Sequence, residues 1–309
     1  MARLVQSDVH VDKVLTAFSV GYQNTMYVAG KVFPTVTMDK ESDVYFKYDR
    51  GDAFRDVARE RAAATDAVDV GMNVSTATVS TKEYANRTFI SRRTIENADK
   101  PLNLLQDHTA FLLDKLDLAK EVKFAADFMV TGKWETTKTL SGTSQWSDHA
   151  LSDPLGDIDV GVEAVIDGIG QPPNVGIITR AVWSKLKRHP DLLDAVKYTQ
   201  QGGMISLAQL AALTDIPTWY VAGAIKTSSN EGATDTTAGI FGKTVLLLYV
   251  PPTPGLRTPA AGYTFAREAK TIKRWYDNGK EAEAVQASEN YGMEIVAKEA
   301  GYLFLTAVA

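Results

Sequence analysis

The chain has 309 residues, 45% hydrophobic and 23% charged, proportions that are ordinary for a globular protein and exclude a wholly disordered one. It contains no cysteine, which excludes disulfides, thiolate nucleophiles and cysteine-based metal sites. The net charge of −5 argues against a dedicated nucleic-acid-binding module, which usually carries a basic patch. Residues 1–20 lack a signal peptide's apolar stretch, and the longest apolar run, 245–252, cannot span a bilayer, so we expect a cytoplasmic protein.

The first third of the chain predicts an arm followed by a ribbon. Residues 1–37 show little periodicity and contain glycine and proline, which predicts an extended arm with at most one short helix. Apolar and polar residues alternate at 44–48 and at 68–74, which predicts two strands. The loop between them, 49–67, is almost bare of large apolar residues. Because a ribbon with so little core is not stable alone, we expect it to lie on another surface, such as a second subunit.

The clearest helix covers residues 101–131, where apolar side chains recur at spacings of three and four before Gly132. At ~1.5 Å per residue it would be ~40–45 Å long. Residues 134–150 are rich in Thr and Ser, which predicts a polar linker. Helical and strand-like segments then alternate between residues 152 and 250, which indicates an α/β unit.

The C-terminal segment predicts a β-hairpin. Residues 271–276 indicate one strand, and the sequence Asp277-Asn278-Gly279 is typical of a tight turn. Residues 285–295 alternate almost strictly between apolar and polar types, which predicts a long strand with one buried and one solvent-facing side.

No pattern in the sequence indicates an enzyme. The four histidines do not stand at metal-ligand spacings from one another. Ser147, Asp148 and His149 include the residue types of a catalytic triad, but triads are assembled from distant positions rather than from neighbours. Residues 242–244 (GKT) lack the preceding glycine and the following helix of a phosphate-binding loop. We therefore predict no catalytic residue, no metal and no cofactor.

The loop at 49–67 contains interspersed arginines and acidic residues. Such balance is ordinary on a solvated surface. However, the loop has no core, and the planar guanidinium of arginine can bind carboxylates through two parallel hydrogen bonds. We therefore predict contacts between subunits through Arg50, Asp52, Arg55, Asp56, Arg59 and Arg61.

Several stretches resemble, in order and spacing along nearly the whole chain, the major capsid proteins of tailed phages. They are residues 29–34 (AGKVFP), 48–56 (YDRGDAFRD), 173–180 (PNVGIITR), 181–191 (AVWSKLKRHPD), 251–265 (PPTPGLRTPAAGYTF) and 301–309 (GYLFLTAVA). The resemblance implies an α+β capsid fold of the Hong Kong ninety-seven type, in which an N-terminal arm leads to an extended hairpin loop and a long spine helix. The implied limits are N-terminal arm 1–39, extended loop 40–90, peripheral domain with spine helix 91–151, α/β axial domain 152–262 and return to the peripheral domain 263–309.

The resemblance also implies a function. Such a protein assembles in the bacterial host cytoplasm into the icosahedral head shell that encloses double-stranded DNA in the virion. Its implied partners are other copies of itself in pentamers and hexamers, the portal, scaffolding or decoration proteins, and DNA on the inner face, but no membrane. No long helical region precedes Val32, so we expect any scaffold to be a separate protein. The alternative is the shell protein of an encapsulin-type nanocompartment, which shares the fold.

The charged loop gives a first test. Replacing Arg55 and Arg59 with Glu reverses two charges in a segment without a core, so we expect the subunit to fold normally and shell assembly to be blocked. Circular dichroism checks the fold, and electron microscopy counts the particles. Normal particles from the double variant would contradict the predicted role of these arginines.

Overall fold

A computed structural model describes residues 24–63, 65–98, 103–197, 203–230, 232–255 and 257–309. The part of the predicted arm that precedes Asn24 lies outside these residues. The helices are α1 (Ala29–Val32), α2 (Arg50–Phe54), α3 (Arg92–Glu96), α4 (Leu104–Phe128), α5 (Pro154–Ile169), α6 (Arg180–Leu186), α7 (Pro190–Val196) and α8 (Leu207–Thr214). The strands are β1 (Thr35–Thr37), β2 (Ser42–Tyr48), β3 (Val74–Ser80), β4 (Lys82–Ser91), β5 (Thr136–Thr139), β6 (Val175–Thr179), β7 (Thr218–Ala222), β8 (Ile225–Thr227), β9 (Thr237–Gly239), β10 (Val245–Leu248), β11 (Gly262–Asp277), β12 (Ala282–Ile295) and β13 (Gly301–Leu305).

The longest strands form a four-stranded sheet in the order β1-β11-β12-β4. The predicted C-terminal hairpin is confirmed, since β11 and β12 pair antiparallel and Asp277 accepts the backbone N–H of Gly279 in the turn. The predicted solvent-facing side of β12 is wrong, because Ser288 and Asn290 are only 3% and 6% exposed. Alternation identified the strand, but β12 lies between β11 and β4, so side chains of neighbouring strands shield its small polar residues, as Thr271 does beside Ser288.

The predicted long helix is confirmed with narrower limits, as α4. Its 25 residues correspond to a length of about 37 Å at ~1.5 Å per residue. The side chain of Asn103 accepts the backbone N–H of Gln106 and so caps its first turn. Leu112 and Leu116 pack in one cluster with residues of β12, so the helix lies along the four-stranded sheet.

Farther along α4, two aromatic side chains hold the segment that enters the sheet. Residues 24–33, which we call the strap, cross the helix here. The ring centroid of Phe33 lies 5.6 Å from that of Phe124 and 5.1 Å from that of Phe128. At its start, the side-chain amide of Asn24 bonds both backbone groups of Ile225, which ties the strap to β8.

A buried carboxylate fixes the strap on the helix. Glu121 is 1% exposed, and its two oxygens accept the backbone N–H groups of Val28 and Ala29 at 2.8–3.1 Å. Burial raises the pKa of Glu121, and these backbone donors oppose the shift. The first N–H groups of a helix have no partner within it, so Glu121 satisfies donors that α1 would otherwise leave open.

The second sheet has the order β5-β13-β10-β6-β7. The segments predicted to alternate between helix and strand supply β6, β7, β10 and the helices α5 to α8, which confirms their α/β character. Asp153 caps α5, Pro154 begins it, and Gly170 ends it in a left-handed conformation. Two strands of this sheet, β5 and β13, come from outside residues 152–250: β13 pairs with β10 on one side and with β5 on the other. The limits 1–39, 40–90, 91–151, 152–262 and 263–309 remain a prediction.

The predicted polar linker at 134–150 is wrong. Its threonine-rich part forms β5, parallel to β13, and Trp146 is fully buried. The Trp146 ring packs 5.4 Å from that of Phe304, and its N–H donates to Asp157 at 2.8 Å. Thr favours strands, but the strand that pairs with these threonines lies far along the chain, where local sequence cannot indicate it.

Glu121 gives a stability test. Replacing Glu121 with Gln keeps the shape but turns an amide donor toward the N–H groups of the strap, which should cost about 1–3 kcal/mol for each donor left unsatisfied. Denaturant unfolding of the two proteins measures the loss. Glu163→Gln, on an exposed position of α5, is the matched control. A loss no larger than that of the control would contradict the role of Glu121.

Candidate inter-subunit surface

A two-stranded ribbon stands apart from both sheets. We call β2, β3 and the joining loop 49–73 the hairpin; its register runs from Ser42 opposite Ser80 to Tyr48 opposite Val74. The predicted first strand is confirmed. The predicted second strand at 68–74 is wrong, since only its last residue belongs to β3. A glycine interrupts that stretch, and glycine weakens strands, whereas the following Thr- and Ser-rich residues pair with β2.

One face of the hairpin packs on the body of the molecule. Tyr45 stacks on Phe265 with ring centroids 6.0 Å apart, and Val79 is 2% exposed. Met38 and Tyr263 complete this small cluster. The cluster anchors the base of the hairpin and so fixes where the ribbon leaves the four-stranded sheet.

The opposite face of the hairpin carries exposed apolar side chains. Val44, Phe46 and Val74 are 54%, 62% and 45% exposed, and we call these three residues the apolar face. The loop adds further exposed apolar side chains: Val68, Val70 and Met72. Contiguous apolar surface of this kind usually marks an interaction site. Sequence reasoning missed these residues as site residues, although apolar alternation in a ribbon without a core was a signal that could have found them.

Two aspartates organise the end of the hairpin. The side chain of Asp49 accepts the backbone N–H of Gly51 and caps α2. Asp52, one of the predicted contact residues, accepts the backbone and side-chain N–H groups of Asn73 at 2.8 and 2.9 Å. Asp52 therefore closes the loop within the chain.

The remaining charges form loose pairs along the loop. Arg55 lies 3.8 Å from Asp52, and Arg59 lies 3.9 Å from Asp56, with the side chains of both arginines 65% exposed. Arg61 is also exposed. Exposed pairs of this kind contribute only about 0–1 kcal/mol, so little energy holds these side chains in their present places. Their predicted contact with a neighbouring subunit stays a prediction.

Arg50 lies apart from this group. Its guanidinium donates from Nη2 to the backbone oxygen of Asp167, in the last turn of α5, at 2.9 Å. Glu135 and Glu299 line the same depression. The structure therefore brings Arg50 to an acidic surface of its own chain, and sequence reasoning indicated none of these acidic residues.

The residue types singled out for a triad have structural contacts. Ser147 accepts the backbone N–H of Ala309, and Asp148 accepts that of Ala150. His149 packs its ring 5.2 Å from that of a second histidine. These three side chains do not converge on one reacting position.

A different Ser, His and Asp do come together, at Ser152, His189 and Asp191. Ser152 Oγ lies 3.0 Å from His189 Nε2, and Asp191 lies 3.5 Å from Nδ1. However, Ser152 donates its proton to the backbone oxygen of Asp148, and His189 Nδ1 accepts the backbone N–H of Asp191. His189 must therefore donate from Nε2, which is the reverse of a general base. Both side chains are buried, so the network stabilises the fold rather than activating a nucleophile.

Two further features are absent from the part of the chain that the structure describes. No group of three or more His, Asp or Glu side chains there is placed to hold a metal ion. No helix there is long and apolar enough to cross a bilayer.

Two curated phage proteins are similar to the chain in sequence. The major capsid protein of Burkholderia phage BcepMu is 27% identical over 299 residues, which cover 95% of each chain. The major capsid protein of Pseudomonas phage JBD67 is 30% identical over 217 residues, which cover 68% of each chain. No family model matches the chain.

Solved structures share its fold. A phage-related protein from Bordetella bronchiseptica RB50 is 24% identical with a TM-score of 0.73, over 96% of this chain and 97% of that one. The capsid protein of cyanophage P-SCSP1u is 10% identical with a TM-score of 0.65, over 97% and 93%. A virus-like particle protein from Pyrococcus furiosus is 13% identical with a TM-score of 0.54, over 89% and 90%.

The buried histidine gives a pH test. Burial lowers the pKa of His189 below its value of about 6.5 in the unfolded chain, so the folded protein binds the proton less readily. The free energy of unfolding should therefore fall as pH drops below about 6.5, by up to ~1.4 kcal/mol per pH unit from this group. His189→Gln keeps a hydrogen-bond donor for Ser152 but cannot take up a proton, so it should remove the share of the pH dependence that comes from His189. Urea unfolding at several pH values measures it; equal pH dependence in both proteins would contradict the assignment.

Proposed function

The chain belongs to the major capsid proteins of phages and has their Hong Kong ninety-seven type fold, and from this premise we propose that its hairpin joins neighbouring subunits. Its function is structural, because copies of the chain form the shell of the phage head. Its location is therefore the virion capsid. The subunit must present surfaces that bind other copies.

The observation that carries this proposal is the exposed apolar face of the hairpin. Burying one side chain such as Phe46 contributes roughly 1.5–3 kcal/mol, and the same contact recurs at every equivalent position of a shell. Stable interfaces bury roughly 1,200–2,000 Å² in total, so neighbouring elements must add to this face. The ribbon has no core of its own, as expected of an arm that lies on a neighbour.

The charged residues of the loop act as a rim around this apolar contact. Arg55, Asp56, Arg59 and Arg61 are exposed and weakly held, so they are available to the acidic or basic side chains of a second copy. Charges at the edge of an interface mainly set orientation and association rate. We therefore assign most of the binding free energy to the apolar face, and the orientation of the two subunits to the charges.

The assembled shell is icosahedral, is built from pentamers and hexamers, and encloses double-stranded DNA. Portal and separate scaffolding or decoration proteins act with it, and assembly takes place in the host cytoplasm. The support is the resemblance to tailed-phage capsid proteins along nearly the whole chain. The net charge of −5 fits containment of DNA by a closed shell better than tight binding to it.

The chain works by binding alone, without catalysis. The support is the buried network at Ser152 and His189, whose hydrogen bonds run against nucleophile activation. The nanocompartment alternative has less support. Both curated relatives are phage capsid proteins, whereas the Pyrococcus furiosus particle, at 13% identity, shares only the fold.

Electron microscopy of the expressed protein tests the proposed function. The protein is expressed alone and together with its neighbouring genes, and the particles are imaged by negative stain. Closed shells or rings of subunits are expected. Compact monomers under every condition, including co-expression with a scaffold, would contradict the proposal. Particle size and contents separate a DNA-filled head from a protein-filled compartment.

The apolar face gives a sharper test. Replacing Val44 and Phe46 with Thr keeps strand propensity but removes most of the apolar contact, so assembly should weaken by at least about tenfold in critical concentration. Light scattering against protein concentration measures the effect, and thermal unfolding of the subunit should not change. Lys47→Thr, on the other face of the same strand, is the matched control. Equal assembly by both variants would argue against the apolar face.

A further inference from the structure

The tip of the hairpin, residues 49–55, rests on the body of its own chain. Besides the hydrogen bond from Arg50 to Asp167, the ring of Phe54 lies over Gly170. A Cβ at that glycine would stand 3.2 Å from the ring, so a side chain there would press on Phe54. One hydrogen bond and one ring contact thus join the tip to the C-terminal end of α5.

The receiving surface is a notch at the end of α5. Besides Arg50, its lining includes Glu135, Thr136, Asp167, Gly168, Glu299 and Tyr302. Three of these residues carry carboxylates, and the unpaired carbonyls at a helix C-terminus add partial negative charge. Gly168 lets α5 approach the backbone of Glu299 closely, because a Cβ at residue 168 would lie 2.7 Å from the backbone oxygen of Glu299. The notch is therefore a negatively charged depression that is occupied by a guanidinium.

The contact within the chain is small. Phe54 remains 60% exposed, and the side chain of its neighbour Arg55 remains 65% exposed while the tip is docked. The apolar face also stays in water in this arrangement. The tip can therefore leave the notch at the loss of little more than one hydrogen bond.

We propose that the notch is the receptor for the hairpin tip of a second copy. The subunit whose tip lies in its own notch is the closed form, and the subunit whose tip lies in the notch of a second copy is the open form. The inference rests on the proposed function of the hairpin as the arm that joins subunits. Exchange of an identical element replaces each internal contact with an equal one, so opening requires no new surface. The exchange also lets the apolar face be covered, which the closed form does not achieve, and this favours the open form in the shell.

Cross-linking between introduced cysteines tests the proposal, because the chain has no cysteine of its own. The variant carries Gly51→Cys in the tip and Thr136→Cys in the notch, which leaves Arg50, Phe54 and all three carboxylates in place. A Cβ at Gly51 meets no atom closer than 3.6 Å, so the substitution is tolerated. A short bis-maleimide is applied to free subunits and to assembled shells, and the products are separated on a denaturing gel.

Free subunits are expected to give a monomer band of altered mobility, and shells are expected to give covalent oligomers. Shells assembled from a mixture of the two single-cysteine variants should give covalent dimers, which only contact between chains can produce. Adding Arg50→Glu should lower the yield of cross-linked product more than about tenfold, both in free subunits and in shells. Arg50→Lys should lower this yield less.

Each result decides one part of the inference. Shells that cross-link only within chains, with no dimers from the mixture, would overturn exchange of the tip. Free subunits that do not cross-link would overturn the closed form. A protein that cross-links as a free subunit but never forms shells would instead remove the proposed function, and electron microscopy of the same samples distinguishes that outcome.

Discussion

The packing of α4 along β12 is the contact on which the rest of the molecule depends. The helix supplies Leu112 and Leu116 to the sheet, Phe124 and Phe128 to the strap, and Glu121 to the backbone of α1. Each of these contacts positions a further element: the strap leads into β1, and β1 pairs beside the strand that holds the base of the hairpin. One long helix thereby fixes the direction in which a ribbon without a core leaves the body.

Sequence periodicity predicted the elements whose residues face a single core. The helix α4 was predicted because one set of spacings runs through it. Alternation also identified the strand β12, although it did not show that both faces of that strand are buried. Residues 134–150 were misread because their burial depends on β13, which is distant in sequence. The strand at 68–74 was misread because alternation of apolar and polar residues does not by itself make a strand. A segment also needs a partner for its backbone groups, and β2 takes the following residues instead.

The candidate site shows the same limit. Charge balance and a missing core led to the prediction that this loop contacts another subunit, but residue type alone could not separate the roles within it. Geometry assigns Asp52 to closing the loop and Arg50 to the notch, while the other charged residues stay exposed. The apolar face was predicted as part of a strand and not as a surface, because a period of two does not say whether the apolar side is covered.

The order of the strands has a consequence for synthesis of the protein on the ribosome. β11 and β12 complete the first sheet, and β13 lies between β5 and β10 in the second, so neither sheet can close until residues beyond 261 have been made. Strands that must wait for such distant partners fold slowly. A growing chain therefore carries the hairpin segment before β11, which holds the base of the hairpin through the stacking of Tyr45 on Phe265, has been made.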